Sequence, residues 1–383
     1  MSLTRRSLLA AAPAVFTKAR AAANRRPNVV FFMTDDHGAW ATGAYGCKEI
    51  HTPNIDRLAA EGARFTRAFA CTPVCSPSRM TYMTGRLPSH HGVQDWLRPV
   101  DSFGERSRRW LDGHPTFSEI LARNGYTLGM CGKWHMGQDE TPQAGFTYWA
   151  TIPGGGGPYR DPVIVHNGVA SKREGFKTDL ITDCALDFLD RQKGAENPFC
   201  LMLPFYAPHT PYDYQPEPYS RPYAGASFSC FPDAPMHPWQ NSGLKRHHGN
   251  RESYRSYSAL ITGLDHNVGR VIGKLEALGF TGDTVVVFTA DQGWNAGHHG
   301  VWGKGNGTHP FNLYEESIQV PLLWRHPGRI RAGITPAPMV SSYDFFPTLL
   351  DYLGIPSPPD PSGSLLEGRT THRQVADVKD RLK

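Results

Sequence analysis

A chain of 383 residues, 39% hydrophobic and 20% charged, has enough apolar material for one large core or two modest ones and shows no bias toward a coiled coil or wholesale disorder. The formal net charge is +5, but Arg5, Arg6, Lys18 and Arg20 supply four of those charges within the first 23 residues, which hold no Asp or Glu. The nearly neutral remainder makes no general case for a nucleic-acid partner.

The chain opens on Thr4-Arg5-Arg6-Ser7-Leu8-Leu9, runs through an apolar stretch over 8–16, and reaches Ala21-Ala22-Ala23, a small-residue cleavage pattern. Residues 1–23 therefore read as an export signal, and the Arg pair is of the twin-arginine kind, a route that carries folded proteins. A general secretory signal or a frayed basic terminus are the other readings. The expected location is periplasmic or extracellular. No later run approaches the roughly 20 apolar residues of a membrane span.

Residues 28–32 form a short apolar run that ends in Thr34-Asp35-Asp36, so a buried strand is expected to deliver two carboxylates at its carboxyl end. Residues 54–65 have helical spacing, with Ile55, Leu58, Ala59 and Gly62 on one side. A second strand over 126–130 leads to Gly132-Lys133-Trp134-His135, and residues 178–191 make an amphipathic helix. A third strand, 199–205, runs into Pro208-His209-Thr210-Pro211. Residues 206–250, dense in Pro, Tyr and His, read as a long irregular insertion. A long helix over 253–278 precedes a strand over 284–289 that ends at Asp291-Gln292-Gly293, and a strand over 320–324 and a helix over 343–353 follow. Strands alternating with helices predict an α/β fold with a mostly parallel sheet sandwiched between helices. Sites in such folds lie beyond the carboxyl ends of the strands, where every polar cluster just named falls.

Seven cysteines leave an odd one over, and the sequence assigns no disulfide pairs. No regular Cys/His spacing suggests zinc. In Cys75-Ser76-Pro77-Ser78-Arg79, Pro77 suits the first turn of a helix, which puts Cys75 near a positive helix end with Arg79 one turn on. Read from these residues alone, Cys75 is either an activated nucleophile or a small buried structural cysteine.

The run from Cys75 to Arg86, Cys-Ser-Pro-Ser-Arg-Met-Thr-Tyr-Met-Thr-Gly-Arg, resembles the signature of the type I sulfatases of the alkaline phosphatase superfamily, in which the cysteine becomes formylglycine. The resemblance extends over about 27–354, with its motifs in family order, and implies an alkaline-phosphatase-like catalytic domain over 24–355. It implies a calcium site (magnesium second) from Asp35, Asp36, Asp291 and the modified Cys75, with Gln292 standing where Asn or His is more common. Arg79 would hold the diol and sulfate, Lys133 and Lys304 the sulfate oxygens, with His135 the base and His209 the acid near the leaving oxygen. The implied activity is release of inorganic sulfate from a sulfate ester, sulfated carbohydrate first, after action of a formylglycine-generating or other maturing enzyme. A phosphonate monoester or phosphodiester hydrolase of the same superfamily, and a truncated inactive homologue, are the alternatives.

His298 and His299 in Gly-His-His-Gly either line the sulfate pocket or brace a loop. Trp239, Trp294 and Trp302 offer faces to a sugar or simply pack, and Tyr212, Tyr214 and His247 belong to the insertion expected to shape the substrate site. Residues 356–383 are charged and turn-rich, so the small antiparallel C-terminal subdomain usual in the family is expected to be reduced or missing.

Overall fold

The computed structural model describes residues 26–357; the expected export signal and the tail from residue 358 lie outside the described residues. Nine strands form one sheet: β1 (Asn28–Asp35), β2 (Ala63–Phe65), β3 (Thr127–Gly132), β4 (Tyr148–Thr151), β5 (Val163–His166), β6 (Val169–Lys172), β7 (Phe199–Pro208), β8 (Thr284–Ala290) and β9 (Leu322–Arg325). Their spatial order is β2-β9-β8-β1-β7-β3-β4-β5-β6. The central run β8-β1-β7-β3-β4 is parallel, and antiparallel strands finish both edges.

β1 is the centre of this sheet because all eight of its residues are buried, paired on both sides in registers such as Val30 with Leu201 and Val30 with Val286. Successive side chains of a strand point to opposite faces. Val29, Phe31 and Met33 enter one core with Met80, Phe117 and Phe345, while Val30 and Phe32 enter the other with Leu189, Leu264 and Val268. Phe31 stacks on Phe345 at 4.3 Å between ring centroids. Burial of each such side chain contributes about 1.5–3 kcal/mol, which is why a continuous apolar run, rather than an alternating one, marks this strand.

Helices α2 (Cys75–Thr84), α3 (Phe117–Arg123) and α6 (Phe345–Tyr352) carry residues of the first core; α1 (Pro53–Ala60), α4 (Lys177–Arg191) and α5 (Arg251–Ala277) carry residues of the second. The helix expected over 54–65 ends early. α1 stops at Ala60, and residues 63–65 instead pair antiparallel with β9 as an edge strand; Gly62, at the junction, passes so close to β9 that a Cβ would meet the Trp324 carbonyl at 2.3 Å. The insertion is irregular, with short helical turns at Glu217–Ser220, Arg221–Tyr223 and Lys245–His247. Its aromatics Tyr223, Phe228 and Phe231 build a third cluster with Tyr254, Tyr257, Trp294 and Trp302. No helix among the described residues is long and apolar enough to cross a membrane.

Candidate active site

The carboxyl ends of the parallel strands converge on α2. β1 ends at Asp35, and Asp36 follows in the left-handed region at φ 63°. That turn breaks the alternation of the strand, so two consecutive carboxylates face one cluster instead of opposite sides of the sheet. A non-glycine residue in this region carries strain, a feature that concentrates at functional sites. His135, just beyond β3, has the same conformation at φ 60°. β8 delivers Asp291 and Gln292, β7 delivers His209, and Lys304 lies on a loop between β8 and β9.

α2 begins at Cys75 after the extended residue Val74 and ends where Gly85 takes the left-handed conformation, at φ 66°. All ten of its residues are buried. Arg79, one turn after Cys75, has no exposed surface and is held on all sides. Its Nε and Nη2 donate to one Asp291 oxygen at 3.0 and 2.8 Å, its Nη1 to the Lys133 carbonyl at 2.6 Å, and its Nη2 reaches Asp35 at 3.4 Å. A charge taken this far from water is tolerated only when its donors are satisfied in this way.

The Cys75 sulfur lies 2.7 Å from the Lys304 ammonium, which also donates to Asp36 at 2.7 Å. Asp35 stands 3.5 Å from the sulfur and pairs with Lys133. Burial and the Asp35 carboxylate would raise the Cys75 thiol, yet Lys133 and Lys304 hold it well below its ordinary value. Asp35 is buried, which raises a carboxyl, but Lys133, His209, Arg79 and Lys304 together keep it well below the usual range. Burial pushes Asp36 up, against Lys304 and His209.

The two histidines differ. The His135 Nε2–H donates to the Leu97 carbonyl at 2.8 Å, which leaves the buried Nδ1 as an unpartnered acceptor. Burial and Lys133 push its pKa down, against Cys75, which favours the neutral ring. Gly155 packs on this ring so closely that a Cβ there would stand 2.3 Å from its Cδ2. His209 donates from Nδ1 to the Thr210 carbonyl and turns Nε2 toward Asp36 at 3.6 Å. Burial opposes its charge, but Asp36 and Asp35 raise its pKa above the ordinary value, which favours the charged ring.

Cys75, Lys133, His135, His209, Lys304 and Asp36 line a cavity of about 370 Å³. Its walls include Trp96, the Gly154–Gly156 backbone, Tyr206 and Trp294. Asp35, Asp36, Cys75 and His209 each present one ligand atom, all within 4.8 Å of one another. Asp291 sits beside this group with its oxygens committed to Arg79 and to the Asp36 and Gln292 amides. Gln292 donates from Nε2 to Asp36 at 2.7 Å, and its Oε1 is buried without a partner. Exchanging the two amide atoms, a change the heavy-atom positions permit, aims that oxygen at the carboxylates, an arrangement a cation between them would stabilise. These residues fit a metal ion.

Two expected substrate contacts lie elsewhere. Trp302 is wholly buried among Tyr254, Tyr257 and Trp294 and has no face to offer. His299 leaves the cavity to stack on Tyr314 at 4.1 Å and bond Glu316 at 2.7 Å, and His298 packs on Trp40. Both histidines brace their loop. Trp294 does reach the cavity wall, though it is only 2% exposed.

The sequence reading missed Lys177, whose buried ammonium donates to the carbonyls of Gly156 at 3.1 Å and Gly157 at 2.6 Å and so ties down the glycine loop against His135. A lysine in the first turn of a helix carries no local signal of burial. Trp96, Asn241 and Asn306, also on the cavity wall, belong to no pattern either.

This architecture, a large mostly parallel sheet with the polar cluster at its carboxyl edge, is alkaline-phosphatase-like. The sulfatase family model matches residues 27–355. The chain is 29% identical to an N-acetylglucosamine-6-O-sulfatase of Bacteroides thetaiotaomicron over 90% of its own length and 70% of the relative's. It is 30% identical to the N-acetylgalactosamine-6-sulfatase of Sus scrofa, over 91% of this chain and 68% of that one. A solved structure in complex with its substrate D-glucosamine-2-N,6-O-disulfate superposes with a TM-score of 0.74 at 28% identity, covering 90% of this chain and 80% of that one. The chain belongs to the sulfatase family, and its class is that of the sulfuric ester hydrolases.

Proposed function

We propose that this protein releases inorganic sulfate from sulfated carbohydrate, using a formylglycine made from Cys75 and a bound calcium ion. The observation that carries the reading is the setting of the Cys75 sulfur, 2.7 Å from Lys304 and 3.5 Å from Asp35 inside a buried cluster of opposed charges. With a thiolate and an imidazole, the donor set is mixed. With an aldehyde-derived oxygen at position 75 it becomes carboxylate and amide oxygens from Asp35, Asp36, Asp291 and Gln292, the hard set that suits Ca²⁺, and Mg²⁺ second. The metal would supply Lewis-acid polarisation and the modified residue an oxygen nucleophile.

The remaining work falls to side chains with clear physical aptitude. Lys133 and Lys304 put two ammonium groups where sulfate oxygens gather charge, in a buried setting that strengthens them. Arg79 fixes the start of α2 against Asp291 and so orients position 75. His135, whose burial favours the neutral ring, can accept a proton at Nδ1, and His209, whose carboxylate neighbours favour the charged ring, can donate one at Nε2 to the leaving oxygen. Support for a carbohydrate substrate comes from the relatives named above, which act on sulfated sugars. In this reading residues 24–355 are the catalytic unit, residues 1–23 direct export, and a sulfatase-maturing enzyme acts on Cys75 before folding closes the site.

The test is sulfate release from a panel of sulfated sugars and from an aryl sulfate, with an aryl phosphonate beside them. Wild-type protein co-produced with a maturing enzyme is expected to favour the sulfates, and Cys75→Ala to release nothing above background. Preference for the phosphonate, or full activity of Cys75→Ala, would overturn the reading.

A further inference from the structure

Beside the catalytic cavity lies a second, more open one of about 500 Å³, and the two share Trp96, Asn241 and Asn306 as a common wall. Three large aromatic rings stand exposed on the second cavity: Trp96 at 47%, Trp239 at 58% and Phe311 at 49%. Exposed rings of this size, set together against amide side chains, have the character of a surface that receives the apolar face of a sugar while amides meet its hydroxyls.

Two of the rings are tied to different parts of the catalytic cluster. Trp96 precedes Leu97, whose amide donates to the Ser76 hydroxyl at 3.0 Å and whose carbonyl accepts from His135 at 2.8 Å. Trp239 sits on a turn pinned to the loop that follows Lys304. Its carbonyl accepts from the His309 amide at 3.1 Å, Gln240 bridges Thr308, and the Asn241 amide donates to the Gly307 carbonyl at 2.8 Å. Hydrogen bonds to the Ser76 and His135 side chains on one side, and backbone bonds on the other, thus fix both platforms relative to the residues around Cys75, so an occupant would bind a pre-formed surface at little ordering cost.

The charge of the second cavity also selects its occupant. Its lining contains Asp95 and no Lys or Arg, in contrast to the two lysines that face Cys75. A sulfated or carboxylated unit would find no lysine or arginine there, only the His309 imidazole, and would meet the Asp95 carboxylate.

We infer that this cavity is a subsite for an uncharged sugar unit linked to the sulfated one, so that the substrate is a glycan chain and Trp96 and Trp239 determine specificity. The inference rests on the proposed sulfate-ester hydrolysis. Its test compares kcat/KM on sulfated monosaccharides, on the same sugars extended by one neutral sugar or by one uronate, across the positional isomers of hexose sulfate, and on a small aryl sulfate. The neutral extension is expected to raise kcat/KM about tenfold on the preferred isomer, the equivalent of about 1.4 kcal/mol, and the uronate extension to raise it less. Trp239→Ala should abolish most of that gain with aryl sulfate turnover within about twofold of wild type, Trp96→Ala should abolish it as well, and Trp239→Phe should restore part of it.

Absence of any gain from a neutral extension, or equal loss on all substrates in Trp239→Ala, would overturn the subsite while leaving sulfate hydrolysis standing. Wild-type protein that releases sulfate from none of these compounds would overturn both.

Discussion

The floor and the rim of the cavity are built in opposite ways. On the floor, Asp35, Asp36, Arg79 and Lys133 are no more than 1% exposed, each held by oppositely charged partners, on strand ends and a helix that the two cores clamp. On the rim, Trp96, Trp239 and Asn241 are exposed; Trp239 and Asn241 sit on a segment held by backbone hydrogen bonds to the Lys304 loop, and Trp96 on one held through the Ser76 and His135 side chains. A buried charge cluster tolerates almost no change, since removing one partner strands another, whereas a turn can exchange its side chain and keep its path. On the proposed reading, the chemistry belongs to the floor and discrimination among substrates to the rim.

Substitutions should separate the two. The largest loss is expected on the floor: Cys75→Ser in an organism whose maturing enzyme acts only on cysteine should lower kcat by at least about 10³-fold on every substrate, aryl sulfate included. Removal of the ion by a chelator, or Asp36→Asn, should cost about 10²-fold or more, with recovery on added Ca²⁺ in the first case only; full activity in chelator would contradict a metal-dependent floor. His135→Ala should cost about 10²- to 10⁴-fold in kcat with little change in KM, as expected of a proton acceptor. Gly155→Ala, which sets a Cβ against the His135 ring, should lower kcat about tenfold at wild-type KM, and unchanged kcat would detach the glycine loop from the chemistry.

Lys177 offers a smaller and different break, in stability rather than rate. Burial pushes its ammonium down from an ordinary 10.5 to about 7, with Asp213 opposing and Lys133 assisting. Between those values the unfolded chain keeps the proton and the folded protein releases it, so stability rises with pH across the window, by up to about 1.4 kcal/mol per pH unit from this group. Denaturant melts of wild type and Lys177→Met over that range should show the rise in the first and its loss in the second. Equal slopes would mean the ammonium is not desolvated.

The sequence exposed the floor far better than the rim, for a physical reason. Strands buried on both faces leave continuous apolar runs, so β1, β7 and β8 were readable, and the polar residues that end them stood out. The edge strands β5 and β6 escaped notice although Asn167-Gly168 between them, both residues at positive φ, carries the two-residue turn signal of a hairpin. Helical spacing continues past Ala60, but residues 63–65 pair with β9 instead, a tertiary pairing that local spacing does not carry. The roles given to Cys75 and its partners came from the family signature, since spacing alone left Cys75 undecided. On the rim the sequence singles out Trp239 as one aromatic that offers a face to a sugar, but not Trp96 or Asn306, which are far from it in the chain and meet it only through the way the insertion packs on the Lys304 loop. Trp302 shows the converse: an aromatic beside the motif lysine, offered as a sugar platform, is instead buried in the third cluster.

The central claim is that Cys75 serves as a modified residue. Mass spectrometry of the peptide containing it, from active protein recovered after export, tests that claim directly. The peptide is expected to carry CHO in place of CH₂SH and to react with an aldehyde-specific hydrazide. An intact, alkylatable thiol at Cys75 in fully active protein would contradict the account.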